Sequence, residues 1–174
     1  MKKLIISLFA FVAVLSCSSD KTDLEVRGLT PVYLSPEEMT RIELEDTRDI
    51  INPGKIVYRP PHIFLVEKWK GVHVIDNSNP ESPVFSAFIA IPGAVDIAVK
   101  GNILYADNYR DLVSVDLGDL STITVMDRVK NVFPAKEDME LPEDYAGYFE
   151  CPDRTKGIVV GWESKVLTNP KCKQ

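Results

Sequence analysis

One internal match constrains this chain more than any other feature. Ile63-Phe-Leu-Val-Glu67 returns as Ile103-Leu-Tyr-Ala-Asp107, and Val72-His-Val-Ile-Asp76 returns as Leu112-Val-Ser-Val-Asp116. Trp69 falls on Tyr109 and Asn79 on Asp119, every pair at an offset of 40 residues. Few pairs are identities, but the apolar positions and the strand-ending acid coincide. The units are rich in β-branched residues and lack a 3.6-residue period, which excludes helical repeats of the same length. Short runs around the match also read as strands. Arg41-Ile-Glu-Leu-Glu45 alternates as a half-buried strand does, whereas His62 to Glu67 is dense enough to be covered on both faces. Twelve prolines and nine glycines supply the turns.

A period near 40 with about four strands per unit is the pattern of propeller blades. The expected fold is therefore all-β, a partial β-propeller with repeats over residues 31–134: about two clear blades, residues 54–93 and 94–134, with incomplete flanking strands at Arg41–Glu45 and Gly157–Trp162. Gly71-Val-His-Val-Ile-Asp-Asn-Ser-Asn-Pro80 and Pro92-Gly-Ala-Val-Asp-Ile-Ala-Val-Lys-Gly-Asn-Ile-Leu-Tyr-Ala-Asp107 resemble the LVIVD-repeat proteins, a β-propeller-like family named for an apolar run closed by aspartate. Here that signature stands as His73-Val-Ile-Asp76 and Ser114-Val-Asp116. The resemblance is close over residues 50–134 and loose elsewhere. Its motifs are structural, so it carries no catalytic residue over. Asp76-Asn-Ser-Asn-Pro80 can fold its Asx side chains back on the backbone and close a turn. A calcium loop would need a central glycine and a distal bidentate glutamate, which this stretch lacks.

Family members generally carry enough repeats to close a ring. Two units leave two flanks with exposed apolar surface and unpaired edges. The expectation favoured here is a truncated or split form of a longer propeller. Oligomerisation, or capping by residues 135–174, would also close the array. Those residues read as an acidic loop, with five acids against one lysine over 136–144, then a strand and tail.

The N-terminus reads as an address. A basic head, Met1-Lys2-Lys3, precedes an uncharged run over residues 4–16, too short for a bilayer that needs about 20 residues. Val14-Leu15-Ser16-Cys17 resembles the lipobox of bacterial lipoproteins, in which the cysteine is lipidated. Residues 1–16 are then a signal peptide and residues 17–30 the lipidated Cys17 with a flexible tether. Ser18 rather than aspartate follows the cysteine, so the resemblance implies the outer membrane of the cell envelope. Cleavage removes two lysines and takes the net charge from −6 to −8, so lipid rather than surface charge must do the anchoring. The remaining cysteines, Cys151 and Cys172, make an even pair for an oxidising compartment. Closing that loop as a disulfide stabilises by about 3 kcal/mol in the chain-entropy model.

Function classes narrow by exclusion. The acidic balance lacks the basic footprint of a nucleic-acid binder. No nucleophile elbow, zincin, P-loop or dinucleotide fingerprint occurs. His62 and His73 both lie inside expected strands, and neither cysteine has metal-ligand spacing. The expectation is a non-catalytic module with no cofactor and no metal, attached to the membrane by lipid. It would bind a protein partner or associate with itself; the alternative is a glycan. Trp69 and Tyr109 occupy equivalent turns beside cations, and either ring can stack on a sugar or anchor a partner.

Overall fold

The computed structural model describes residues 23–134, 141–142 and 145–174. The signal segment, Cys17, and most of the acidic stretch over 136–144 lie outside the described residues. The chain is all-β, with several largely antiparallel sheets, none closed. In order come β1 (Glu25–Leu34), α1 (Pro36–Thr40), β2 (Glu43–Glu45), β3 (Pro53–Arg59), β4 (His62–Glu67), β5 (Gly71–Asp76) and β6 (Val84–Ala90). They are followed by β7 (Ile97–Lys100), β8 (Ile103–Asn108), β9 (Asp111–Asp116), β10 (Thr124–Val129), β11 (Tyr148–Phe149), β12 (Ile158–Thr168) and β13 (Cys172–Lys173).

Two meanders carry the repeat. Strands β3 to β6 form the first, with β2 added at its outer edge, and β7 to β10 form the second. The residues 41–45 expected in an incomplete unit therefore belong to the first sheet, where Leu44 pairs with Ile89. Asx turns close the β5–β6 and β9–β10 connections. Asp76 Oδ1 accepts the Ser78 N–H at 2.8 Å, and Asp116 Oδ1 accepts that of Gly118 at 3.0 Å. Both sheets bulge at equivalent points, leaving Ser86 and Met126 unpaired opposite β5 and β9.

The uniform 40-residue offset needs one correction. From β5 to β9 the strand ends keep it, but from β4 to β8 they move by 41. The cause is turn length: Lys68-Trp69-Lys70 joins β4 to β5, whereas Tyr109-Arg110 alone joins β8 to β9. A one-residue slip sends each side chain to the opposite face. Leu104 and Ala106 therefore do not stand where Phe64 and Val66 stand. They are the counterparts of Ile63 and Leu65, and they share a face with Val113 and Val115.

That shift decides how the sheets stack. Phe64, Val66, Val72, Val74, Ala87 and Ile89 on one face of the first sheet join Ile97, Leu104, Ala106, Val113 and Val115 of the second in a single core. By strand position the second sheet offers the face equivalent to the first sheet's back. Stacking is thus front to back, as in an array built by repetition. Each fully buried Val, Leu, Ile or Phe in this layer stabilises by about 1.5–3 kcal/mol.

The chain ends form a third sheet, ordered β12, β1, β11, β13. Strand β1 runs antiparallel to β12 from Glu25 against Thr168 to Leu34 against Ile158. The expected tether is thus shortened: residues 25–30 are strand, and residues 31–34 belong to this sheet rather than to a repeat. Nor is the C-terminus an unattached tail, since β13 pairs with β11 and β11 with β1. A disulfide joins Cys151 to Cys172 across 21 residues of sequence, Cα–Cα 5.3 Å. Phe149 packs edge-on against Trp162 at 5.6 Å in a small core of this sheet. Helix α1 was not foreseen, although Ser35-Pro36-Glu37-Glu38 spells its start. Ser35 and Glu38 make a reciprocal capping box with proline at the first turn.

Candidate functional site

The turns carrying Trp69 and Tyr109 meet at one rim. Both residues adopt positive φ, +70° and +59°, unusual for aromatic side chains. Gly93 lies between them. Its N–H donates to the Trp69 carbonyl at 2.9 Å, and a Cβ at Gly93 would come within 2.8 Å of the Tyr109 nitrogen. With φ at +79°, that position requires glycine. The Trp69 N–H donates to the Ala94 carbonyl at 2.8 Å. Both aromatic residues are half-buried.

Trp69 opens onto a sizeable cleft. It lies between the first sheet and the terminal sheet, has a volume of about 320 Å³, and is lined by both tryptophans of the chain. Leu29, Ile51 and Val159 supply apolar walls, and Lys68, Lys70 and Asn52 line it as well. Trp162 was read only as part of a strand-like run. It lines the same cleft as Trp69 from β12, a juxtaposition no local pattern announces.

At the floor of this cleft stands Glu67, 1% exposed, beside His73, 0% exposed. Glu67 accepts the Ile51 N–H at 3.0 Å and the Asn52 N–H at 2.5 Å, and its Oε2 is 3.2 Å from His73 Nε2. An ionised carboxylate only accepts, so His73 Nε2 carries the hydrogen and His73 Nδ1 has no partner. Burial pushes the Glu67 carboxyl up, but the two backbone N–H groups and His73 outweigh it and hold the acid below its ordinary range. The His73 ring lies edge-on to Phe88 at 4.9 Å, and the Arg48 guanidinium covers Phe88 from 4.0 Å. Residues 46–52 thus cover part of the first sheet's back. Asp107 plays the corresponding part in the second repeat, accepting the Val95 and Asp96 N–H groups at 2.8 Å each. One acid at or next to the end of each repeat's second strand, Glu67 in β4 and Asp107 in β8, therefore braces the backbone that leads into that repeat's first strand. Among the described residues, no three His, Cys, Asp or Glu side chains converge as a metal site.

The outward face of the second sheet has no covering layer among the described residues. By strand position Tyr105, Leu112 and Val129 replace the core residues Phe64, Val72 and Ile89. Tyr105 is 37% and Val129 50% exposed. Asp107, Ser114 and Asp127 stand where Val66, Val74 and Ala87 are buried, so half of this face has turned polar. A depression of about 330 Å³ runs beside Tyr105, Leu112 and Phe133. Sequence periodicity missed this face because the uniform offset placed Tyr105 opposite Leu65, on the wrong side of the sheet.

The family model of the LVIVD repeat matches residues 62–89 and 93–131. No curated protein and no solved structure matches the chain. The first matched segment spans β4 to β6 and the second β7 to β10, each with its strand-ending acid and its Asx turn, and the chain carries LVIVD repeats over residues 62–131.

Proposed function

We propose that the chain is a non-catalytic interaction module, two propeller-type blades held at the outer membrane by lipid on Cys17, and that it binds a protein partner. The outward face of the second sheet carries this reading. Its aromatic and aliphatic centre, Tyr105 with Leu112 and Val129, is rimmed by Asp127 and Ser114, the composition of a reversible protein interface. The opposite flank of the array is partly sealed by residues 46–52, which leaves the second blade as the docking side.

Photo-crosslinking in cells tests the reading. A benzoylphenylalanine at position 105 is expected to yield one adduct of defined mass, and the same probe at position 58, exposed on the first sheet, is expected to yield none. Adducts from both positions, or from neither, defeat the proposal. An adduct of twice the chain mass identifies the partner as a second copy. Cys17→Ala is expected to move the protein out of the membrane fraction; unchanged membrane retention removes the lipid anchor from the account.

A further inference from the structure

We propose that two copies of this chain pair through the outer edge of β12, antiparallel and centred on Ser164, so that their terminal sheets join as one. This stands apart from the partner reading, which uses a face of the second sheet. Strand β12 covers 11 residues, Ile158–Thr168, and lies at the edge of its sheet. One side pairs with β1; the other has no strand partner among the described residues. An exposed edge strand is a template for another strand, and natural sheets guard it by shortness, bulges, proline or charge. The other edges use the first three. Strands β2, β13 and β7 have three, two and four residues. Strand β10 is bulged at Met126, and β3 opens on Pro53 with an irregular register up to Ile56. From Gly161 to Thr168, by contrast, β12 keeps an even register with β1 and contains no proline.

Charge is the guard that remains, and its order selects the partner. Glu163 and Lys165 are the charged residues of this stretch; both are exposed, with Lys165 Nζ 3.3 Å from Glu163 Oε2. Two charges of one sign would repel a second copy of the strand. Opposite signs two positions apart do the reverse. Residues directly opposite in an antiparallel pair share a face, so a two-fold axis between identical strands must pass where one residue faces itself. With the axis at Ser164, Glu163 of each copy faces Lys165 of the other. An axis at Glu163 or Lys165 sets like charges together, and one at Trp162 or Val166 pairs neither charge with its opposite. On the other face, the axis at Ser164 sets Trp162 opposite Val166, which is 64% exposed. Opposite charges and aromatic–β-branched pairs across a ladder both favour pairing. Two chains of net charge −6 repel each other overall, but this strand is neutral and complementary to itself.

Cysteine crosslinking reads the register. With the axis at Ser164, its two Cα atoms lie about 4.5–5.5 Å apart, within the span of a disulfide. The two Val166 Cα atoms are offset by four residues along the strand, about 13 Å, which is beyond it. Ser164→Cys in the full chain, mildly oxidised in native membranes, is expected to give a covalent species of twice the chain mass. Val166→Cys is expected to give none. Glu163→Lys alone and Lys165→Glu alone are each expected to weaken self-association about tenfold or more in sedimentation of the intact chain, equivalent to about 1.4 kcal/mol. Glu163→Lys with Lys165→Glu restores the alternation and is expected to recover wild-type association, with the urea midpoint reporting that each variant is folded. No dimer from position 164, or equal dimers from 164 and 166, overturns the proposal. A double exchange that associates no better than the single ones overturns it as well. None of these results bears on the crosslink at position 105.

Discussion

Replacing Glu67 by alanine tests the reasoning where packing, electrostatics and surface meet. Three donors lose their acceptor: the N–H groups of Ile51 and Asn52, and Nε2 of the fully buried His73. A buried donor left unsatisfied costs about 1–3 kcal/mol. His73 has no access to water and bears that cost in full. The two backbone groups lie at the cleft, where water can replace part of what is lost. The expected loss is about 3–4 kcal/mol, in line with breaking a buried charged pair and a large share of the roughly 5–15 kcal/mol that holds a typical domain. In urea the midpoint is expected to fall with little change in slope. Amide exchange at Ile51 and Asn52 is expected to quicken more than exchange in β8 and β9, because the brace holds residues 46–52 and not the second sheet. Glu67→Gln keeps the volume and one acceptor oxygen but turns an amide toward a backbone donor, and about half the loss is expected. A loss under about 1 kcal/mol for Glu67→Ala would falsify the claim that this carboxylate fastens the covering segment.

Other perturbations read other links. Gly93→Ala forces a Cβ to within 2.8 Å of the Tyr109 nitrogen at a positive φ, so a loss of about 2 kcal/mol or more is expected in thermal or urea unfolding; a neutral result would mean the two turns are not locked together. Cys151→Ser with Cys172→Ser is expected to cost about 3 kcal/mol, and wild-type protein under reductant should match it; a reductant-insensitive midpoint would refute the disulfide's contribution. Asp76, Asp119 and Asp153 are held below their ordinary range, foremost by the side-chain hydroxyls of Ser78, Ser121 and Thr155, and Glu67 is lowered by its own network. Folded acids with lowered values bind protons less readily than the unfolded chain. Their stabilisation is present above about pH 4, near the unfolded values, and lost as pH falls through the folded ones. A midpoint flat from pH 6 to pH 3 would contradict this, and Glu67→Gln should show a shallower acid decline than wild type.

Much of the architecture was legible because it is locally encoded. Alternation along Arg41 to Glu45, the dense run at His62 to Glu67, and the Asx residues at Asp76 and Asp116 each act over a few residues. A linear reading therefore finds both meanders and their turns. The capping box at Ser35 and Glu38 was equally local and was overlooked amid the stronger β signals. The uniform offset aligned Glu67 with Asp107, whereas the register puts Asn108 at the Glu67 position. The shared task of Glu67 and Asp107, accepting N–H groups from a segment 11 to 16 residues upstream, required the folded chain.

The amino-acid order by itself determined that this is a β protein built on a duplicated unit, since strand period and turn chemistry are properties of neighbouring residues. Tertiary structure alone decided three further matters. A turn shorter by one residue put Leu104 and Ala106, rather than Tyr105, into the core. Pairing of the two chain ends built a third sheet, whose Trp162 lines one cleft with Trp69. Stacking then left one face of the second sheet without a covering layer among the described residues. Each depends on contacts between residues far apart in the chain, where a shift of one position reverses a side chain's direction and no local pattern records the outcome.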